Sequence, residues 1–239
     1  MSNAPVQILT ALMLGFLHAL EVDHMIAVSA FVVGRPSPRT AAGFGFRWGI
    51  GHSVAVLLLG GILLLTGVRW PARYDAWGEA VVGLMLLALG AWAVWSSRKL
   101  HLHPPAEHGD HAHLHVHGDS GHTHVHAHPA PPPAAAHGHA HDHRHGITLV
   151  GLMHGLAGSS GVVALVPVTL IQRLDAGFAY LAAFGVGVTA GMMIYAVVAA
   201  LAIRQAAERS LAWGRRIAGL VGLAGMGVGI WWVWRAIGG

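Results

Sequence analysis

The 239-residue chain contains no cysteine, one lysine (Lys99) and only 10% charged residues. Without Cys there are no disulfides, no thiolate ligands and no thiol redox chemistry, so imidazole and carboxylate are its strong metal-binding groups. No P-loop is present, since Lys99 stands in no such motif, and energy for any active process must come from gradients or a separate ATPase. Sparse charge beside 54% apolar residues and a mean hydropathy of +0.57 excludes one soluble domain; the bilayer is the expected solvent. The net charge of +4 rests on arginines scattered at the ends of apolar runs, a pattern of membrane topology that argues against a nucleic-acid partner. No basic segment precedes the first apolar run, which itself contains Glu21, Asp23 and His24, so the sequence predicts no cleaved signal peptide.

Six apolar stretches reach the ~20 residues that a helix needs to cross about 30 Å of hydrocarbon. They lie at about 6–33, 43–67, 77–97, 147–171, 177–203 and 212–234. The expected fold is an all-α polytopic membrane protein with six transmembrane helices. Between 101 and 145 the composition turns to Pro, Ala, Gly, Asp and His, and 16 of the 20 histidines fall there. Few large apolar residues remain to drive ordering, so this segment is expected to be a disordered loop. It separates a first membrane unit, 1–100, from a second, 146–239.

The two units repeat each other at an offset of 136 positions, the distance from His18 to His154. Gly15-Phe-Leu-His18-Ala-Leu20 aligns with Gly151-Leu-Met-His154-Gly-Leu156, and Trp48-Gly49-Ile-Gly51 with Phe184-Gly185-Val-Gly187. Trp77-Gly78 and Trp95 meet Trp213-Gly214 and Trp231 at the same offset. Three spans per half force the second half to enter the membrane in the opposite sense, giving a 3+3 inverted repeat, the plan of many secondary transporters. Arg69, Arg73, Arg173 and Arg235 lie on the side of the termini. Ten basic residues lie on the other: Arg35, Arg39, Arg47, Arg98, Lys99, Arg144, Arg204, Arg209, Arg215 and Arg216. The positive-inside rule then places the termini outside and the histidine loop in the cytoplasm.

The four histidines outside the loop, His18, His24, His52 and His154, all fall inside expected spans. Ionisable groups at that depth are costly and usually face a polar cavity where they act. His18-Ala-Leu-Glu-Val-Asp23-His24 adds Glu21 and Asp23, and such nitrogen and oxygen donors suit nickel, cobalt or zinc. On a regular helix Asp23 and His24 point roughly 140° and 120° away from His18. They converge on one ion only if the helix unwinds or neighbouring spans supply ligands. His52, among the glycines of Gly49-Ile-Gly51-His52-Ser53, is the obvious donor from the second span. The alternative for these residues is a polar network joining helices, and Glu21 is open to three roles: site carboxylate, proton carrier or partner of an arginine such as Arg47. The tryptophans read as interface anchors. In the loop, His113, His115, His117, His122, His124, His126, His139, His141 and His143 form closely spaced pairs that chelate metal with little order. Protonation near an unperturbed pKa of ~6.5 would weaken that capture in acid.

His18-x4-Asp23-His24 followed by Gly51-His52-Ser53 resembles the signature of the nickel/cobalt transporter family. That resemblance implies that His18, Asp23 and His24 are required for metal transport and that His52 lies beside the same site. Leu152-Met-His154-Gly-Leu-Ala-Gly-Ser159-Ser160 is similar to the smaller urease- and hydrogenase-accessory branch of the superfamily. The chain departs from the larger permeases, which have eight spans and a second acidic motif. Here Ser159, Ser160 and Val188 stand at the repeat positions of Asp23, His24 and His52, so the site is expected to be asymmetric, with His154 as its contribution from the second half.

The expected function is secondary transport of Ni2+ or Co2+, with Zn2+ as a further candidate, across a bacterial inner membrane, in the direction of uptake. No enzymatic activity and no prosthetic group are expected; the partners are the ion, the lipid bilayer and metallochaperones of nickel or cobalt enzymes. Competing readings are metal efflux, a membrane subunit of an ATP-driven importer, a metal-sensing receptor, and an intramembrane metal-dependent hydrolase. The last lacks a His-Glu-x-x-His motif and gives no reason for the repeat or the loop.

Overall fold

The computed structural model describes residues 4–33, 37–68, 73–98, 113–116, 123–126, 144–157 and 173–238. Among them are seven helices: α1 (Ala4–His18), α2 (Val22–Val33), α3 (Pro38–Thr66), α4 (Arg73–Arg98), α5 (Arg144–Ala157), α6 (Leu174–Arg209) and α7 (Leu211–Gly238). Two short strands, β1 (His113–Val116) and β2 (Thr123–His126), pair antiparallel.

Helix ends follow local chemistry. Proline at the start of α3 donates no N–H where none has a helical acceptor. Gly67 closes that helix in the left-handed region at φ 66°, its N–H bonded to Leu63 O at 2.9 Å. Arg173 grips Asp175 through two hydrogen bonds at 3.1 and 2.6 Å, placing an acid in the first turn of α6, where the helix dipole favours it.

The expected first span is broken. Helices α1 and α2 meet at 59°, and across the break Leu20 N bonds to Leu17 O and Glu21 N to His18 O, three residues back, before Met25 N to Glu21 O restarts the α-helix. Among the described residues four unbroken helices are long and apolar enough to cross a membrane, Pro38–Thr66, Tyr74–Ser97, Leu174–Ala206 and Ala212–Gly238; counting the bent pair as one span makes five. The expected fourth span, 147–171, is helical as far as Ala157, and residues 158–172 lie outside the described residues. Large apolar side chains cover the exterior, among them Val6, Leu65 and Leu220, each about two-thirds exposed. A soluble surface does not carry so much contiguous hydrocarbon. The chain is a multi-pass helical membrane protein.

Close helix contacts hold the interior together, as expected where small residues let backbones approach. Helix α1 lies on α6 and α5 on α3, with Gly15 against the Phe184 carbonyl, Gly187 against that of Leu12, Gly151 against that of Trp48 and Gly51 against that of Thr148. Adding 136 to one partner and subtracting it from the other turns the Gly15–Phe184 contact into Gly151–Trp48, and Leu12–Gly187 into Thr148–Gly51. Ser53 and Thr189, themselves 136 apart, face each other with hydroxyls 3.3 Å apart. Helices α4 and α7 run antiparallel, with Gly83 opposite Gly229 and Gly90 opposite Gly222. Arg235 of α7 reaches the buried Glu79 of α4 at 3.1 Å.

A Cβ at Gly51 would run into the Thr148 carbonyl, whereas one at Gly43 in the same helix meets nothing within 4 Å. Gly51→Val is therefore expected to destabilise the protein by ~1–3 kcal/mol through overpacking, while Gly43→Ala is neutral. Thermal melting of the two variants in detergent checks the contrast; equal melting points would remove the close α3–α5 contact from the account.

The expectation of a disordered loop at 101–145 falls outside the described residues, apart from the two strands and the start of α5. The strand register pairs His113 with His126 and His115 with His124. Of the remaining loop histidines named above, His117, His122, His139, His141 and His143 lie outside the described residues.

Candidate metal centre

The break between α1 and α2 brings His18 and His24 together. His18 ends α1, the chain turns through Ala19, Leu20 and Glu21, and His24 begins again on a helix of different direction. Their rings stand 4.6 Å apart, centroid to centroid, where a straight helix would have splayed them. His52 from the middle of α3 closes one side, with its Nε2 3.3 Å from His18 Nε2. That is close to the spacing two nitrogens keep when each lies ~2.1 Å from one ion at a near-tetrahedral angle. His154, near the end of α5, adds a fourth imidazole: its ring centroid is 4.3 Å from that of His24, and its Nε2 is 3.2 Å from Asp23 Oδ2.

All four imidazoles and the Asp23 carboxylate are buried. The donors fall into two groups of three whose ligand atoms lie within 4.8 Å of one another: His18, His24 and His52, and Asp23, His24 and His154. His24 belongs to both. Asp23 is fixed locally, since its Oδ1 accepts the His24 backbone N–H at 2.9 Å in the first turn of α2, and it also lies 3.1 Å from His24 Nδ1. A carboxylate at one ring nitrogen sets the tautomer and leaves the other free to bind metal. His24 Nε2 is indeed buried without a hydrogen-bond partner, as are His52 Nδ1 and His154 Nδ1. Buried polar atoms are nearly always satisfied, so this concentration of orphans in one place makes the cluster a candidate ligand site. Glu21 differs: it is part-exposed and sits 3.0 Å from His18 Nδ1. That contact sets its carboxylate beside the cluster and leaves its three roles open.

Two aromatic rings wall the cluster and carry the same relation to it. Phe184 lies 5.5 Å from the His18 ring, and Trp48 lies 5.5 Å from that of His154. Trp48 is fully buried, which corrects its expected place among the interface tryptophans; Trp77, Trp95, Trp213, Trp231 and Trp234 are exposed. The signal for Trp48 and Phe184 was present in the repeat, which aligns them with each other as it aligns His18 with His154. Ser29 and Tyr195, whose hydroxyls meet at 2.8 Å and join α2 to α6, had no such signal.

Fold and site together define a polytopic helical membrane protein with a histidine–carboxylate centre buried where a broken helix meets two others. The chain is 28% identical over 197 residues to the urease accessory protein UreH of Bacillus sp. (strain TB-90), covering 80% of this chain and 76% of that protein. It is 35% identical over 100 residues to "Putative nickel/cobalt efflux system MJ1092" of Methanocaldococcus jannaschii, covering 40% of this chain and 44% of that protein. It is also 37% identical over 87 residues to the chloroplast protein FOR GROWTH AND FERTILITY 2 of Arabidopsis thaliana, 36% of this chain and 23% of that one. The chain thus spans less than half of the latter two. No family model and no solved structure matches it.

Proposed function

We propose that the chain is a member of the nickel/cobalt transporter superfamily and a secondary transporter that carries Ni2+ or Co2+ through the membrane, with Zn2+ as a further candidate substrate. The observation that carries this reading is the convergence of four buried imidazoles and a carboxylate from α1, α2, α3 and α5 at a helix break. Broken helices inside transporters commonly hold the substrate site. The printed name of MJ1092 supports the choice of metal and that of UreH the accessory-type branch. The site residues in this reading are His18, Asp23, His24, His52 and His154, with Glu21 at the approach. They bind and move an ion and catalyse no reaction.

The architecture in this reading is six spans arranged as a 3+3 inverted repeat in a bacterial inner membrane, with the termini outside. It is supported by the helix contacts that map onto one another at the offset of 136, and by the arginine distribution. The cytoplasmic segment 101–145 buffers metal before transfer to metallochaperones. Support for buffering comes from the register of β1 and β2, which pairs His113 with His126 and His115 with His124. Replacing those four with alanine is expected to lower retained Ni2+ at low external metal while leaving flux at saturating metal unchanged; unaltered retention would remove the buffering role.

The direction proposed is uptake, because an interior-negative potential favours cation entry by ~2.3 kcal/mol per charge per 100 mV. The name of MJ1092 favours the opposite reading, efflux. Radioactive Ni2+ accumulation in cells expressing the full chain separates the two. Raised accumulation is expected; lowered accumulation would overturn uptake in favour of efflux.

A further inference from the structure

We propose, resting on the transport reading above, that the centre is two stations in series. The ion loads on His18, His24 and His52 and is then handed to Asp23, His24 and His154, with His24 retained as the common ligand. Two donor triads are present where a single tetrahedral site needs one, and they share a single member. Their chemistry differs. The first is three neutral imidazoles when it holds metal, whereas the second adds a carboxylate that compensates the charge of a desolvated dication.

Their access differs too. His18 at the first station touches the part-exposed Glu21, while the second station ends on the fully buried His154 beside Trp48. Donors therefore follow one another in contact from the part-exposed Glu21: His18 with His52, His24, then Asp23 with His154. The rings at the two ends, His52 and His154, stand 5.9 Å apart, so a hand-over moves the ion only a few ångströms. At each stage one ligand stays bound, and the ion is never stripped of all its donors in a low-dielectric interior.

The arrangement predicts a split in transport kinetics. In liposomes holding the purified full chain, His52→Asn cripples loading, so the KM for Co2+ should rise at least tenfold with a smaller change in maximal rate. His154→Asn leaves loading intact but removes the destination, so the maximal rate should fall at least tenfold with KM within about threefold of wild type. His24→Asn should lose both. Glutamine at positions 52 and 154 supplies a second pair of variants should an asparagine protein fail to fold. The Co2+ absorption of each variant, taken as a difference from His24→Asn to remove the loop signal, should report imidazole ligands for the His154 variants and mixed nitrogen and oxygen ligands for the His52 variants. If the His52 and His154 variants change the same kinetic parameter and give the same difference spectrum, the centre is one site and the relay is wrong. If either transports as wild type, that residue is not a station. Wild-type transport by His24→Asn would instead sink the transport site itself.

Discussion

Replacing His24 with alanine is expected to reduce Co2+ flux by at least ~100-fold, the largest effect of any single substitution in this protein. Loss of a residue that merely orients a metal ligand costs roughly 10–100-fold, and His24 is placed to do more than orient. It lies in both donor triads, it is completely buried, and its Nε2 has no other partner. Alanine also leaves His18, His52 and His154 facing a void, with no donor between the two sides. Flux measured in liposomes, with the melting point of the variant as a control for folding, checks the expectation. Retained flux with a native melting point would mean that the imidazoles form a structural network.

Asp23→Asn is expected to reduce flux by at least ~30-fold at unchanged stability, and it isolates charge from hydrogen bonding. Asparagine keeps an oxygen in the place where Oδ1 accepts the His24 N–H, so that N–H in the first turn of α2 stays satisfied. What is lost is one negative charge in a site where the ion has shed its water, and there a formal charge matters far more than it does at a surface. Asp23→Ala should lose both the charge and that hydrogen bond, so it should add destabilisation of about 1–3 kcal/mol to a similar flux defect. Comparing the flux and melting points of the two variants separates the roles. An Asp23→Asn protein that transports normally would assign Asp23 to holding the start of α2 alone.

How far the sequence revealed all this differs by element. The long apolar helices α3, α4, α6 and α7 were legible because a lipid-facing helix needs little more than length and hydropathy, although each runs a few residues beyond its expected span. The residues of the buried cluster were legible because ionisable residues stand out in an apolar chain. The bend was legible only by inference: Ala19-Leu20-Glu21 contains neither Gly nor Pro, and nothing local announces a break. The need for one followed from the angular mismatch between His18 and His24, a demand of the site and not of the backbone. The division of the donors into two triads had no sequence signal at all. It depends on how α3 and α5 each approach His24, which glycine-mediated packing sets in three dimensions. Trp48 was misplaced because indole suits both the membrane interface and a buried wall, and only the neighbouring His154 decides between them.

The central claim is that the His18–Asp23–His24–His52–His154 cluster carries a transition-metal ion across the membrane. Its most direct test is Co2+ flux into liposomes containing only the purified full chain, under an interior-negative potential and with no ATP, compared between wild type and His24→Ala. The account predicts saturable flux for the wild type and background leak for the variant. Equal flux for the two proteins, or none for the wild type without a partner ATPase, would contradict it.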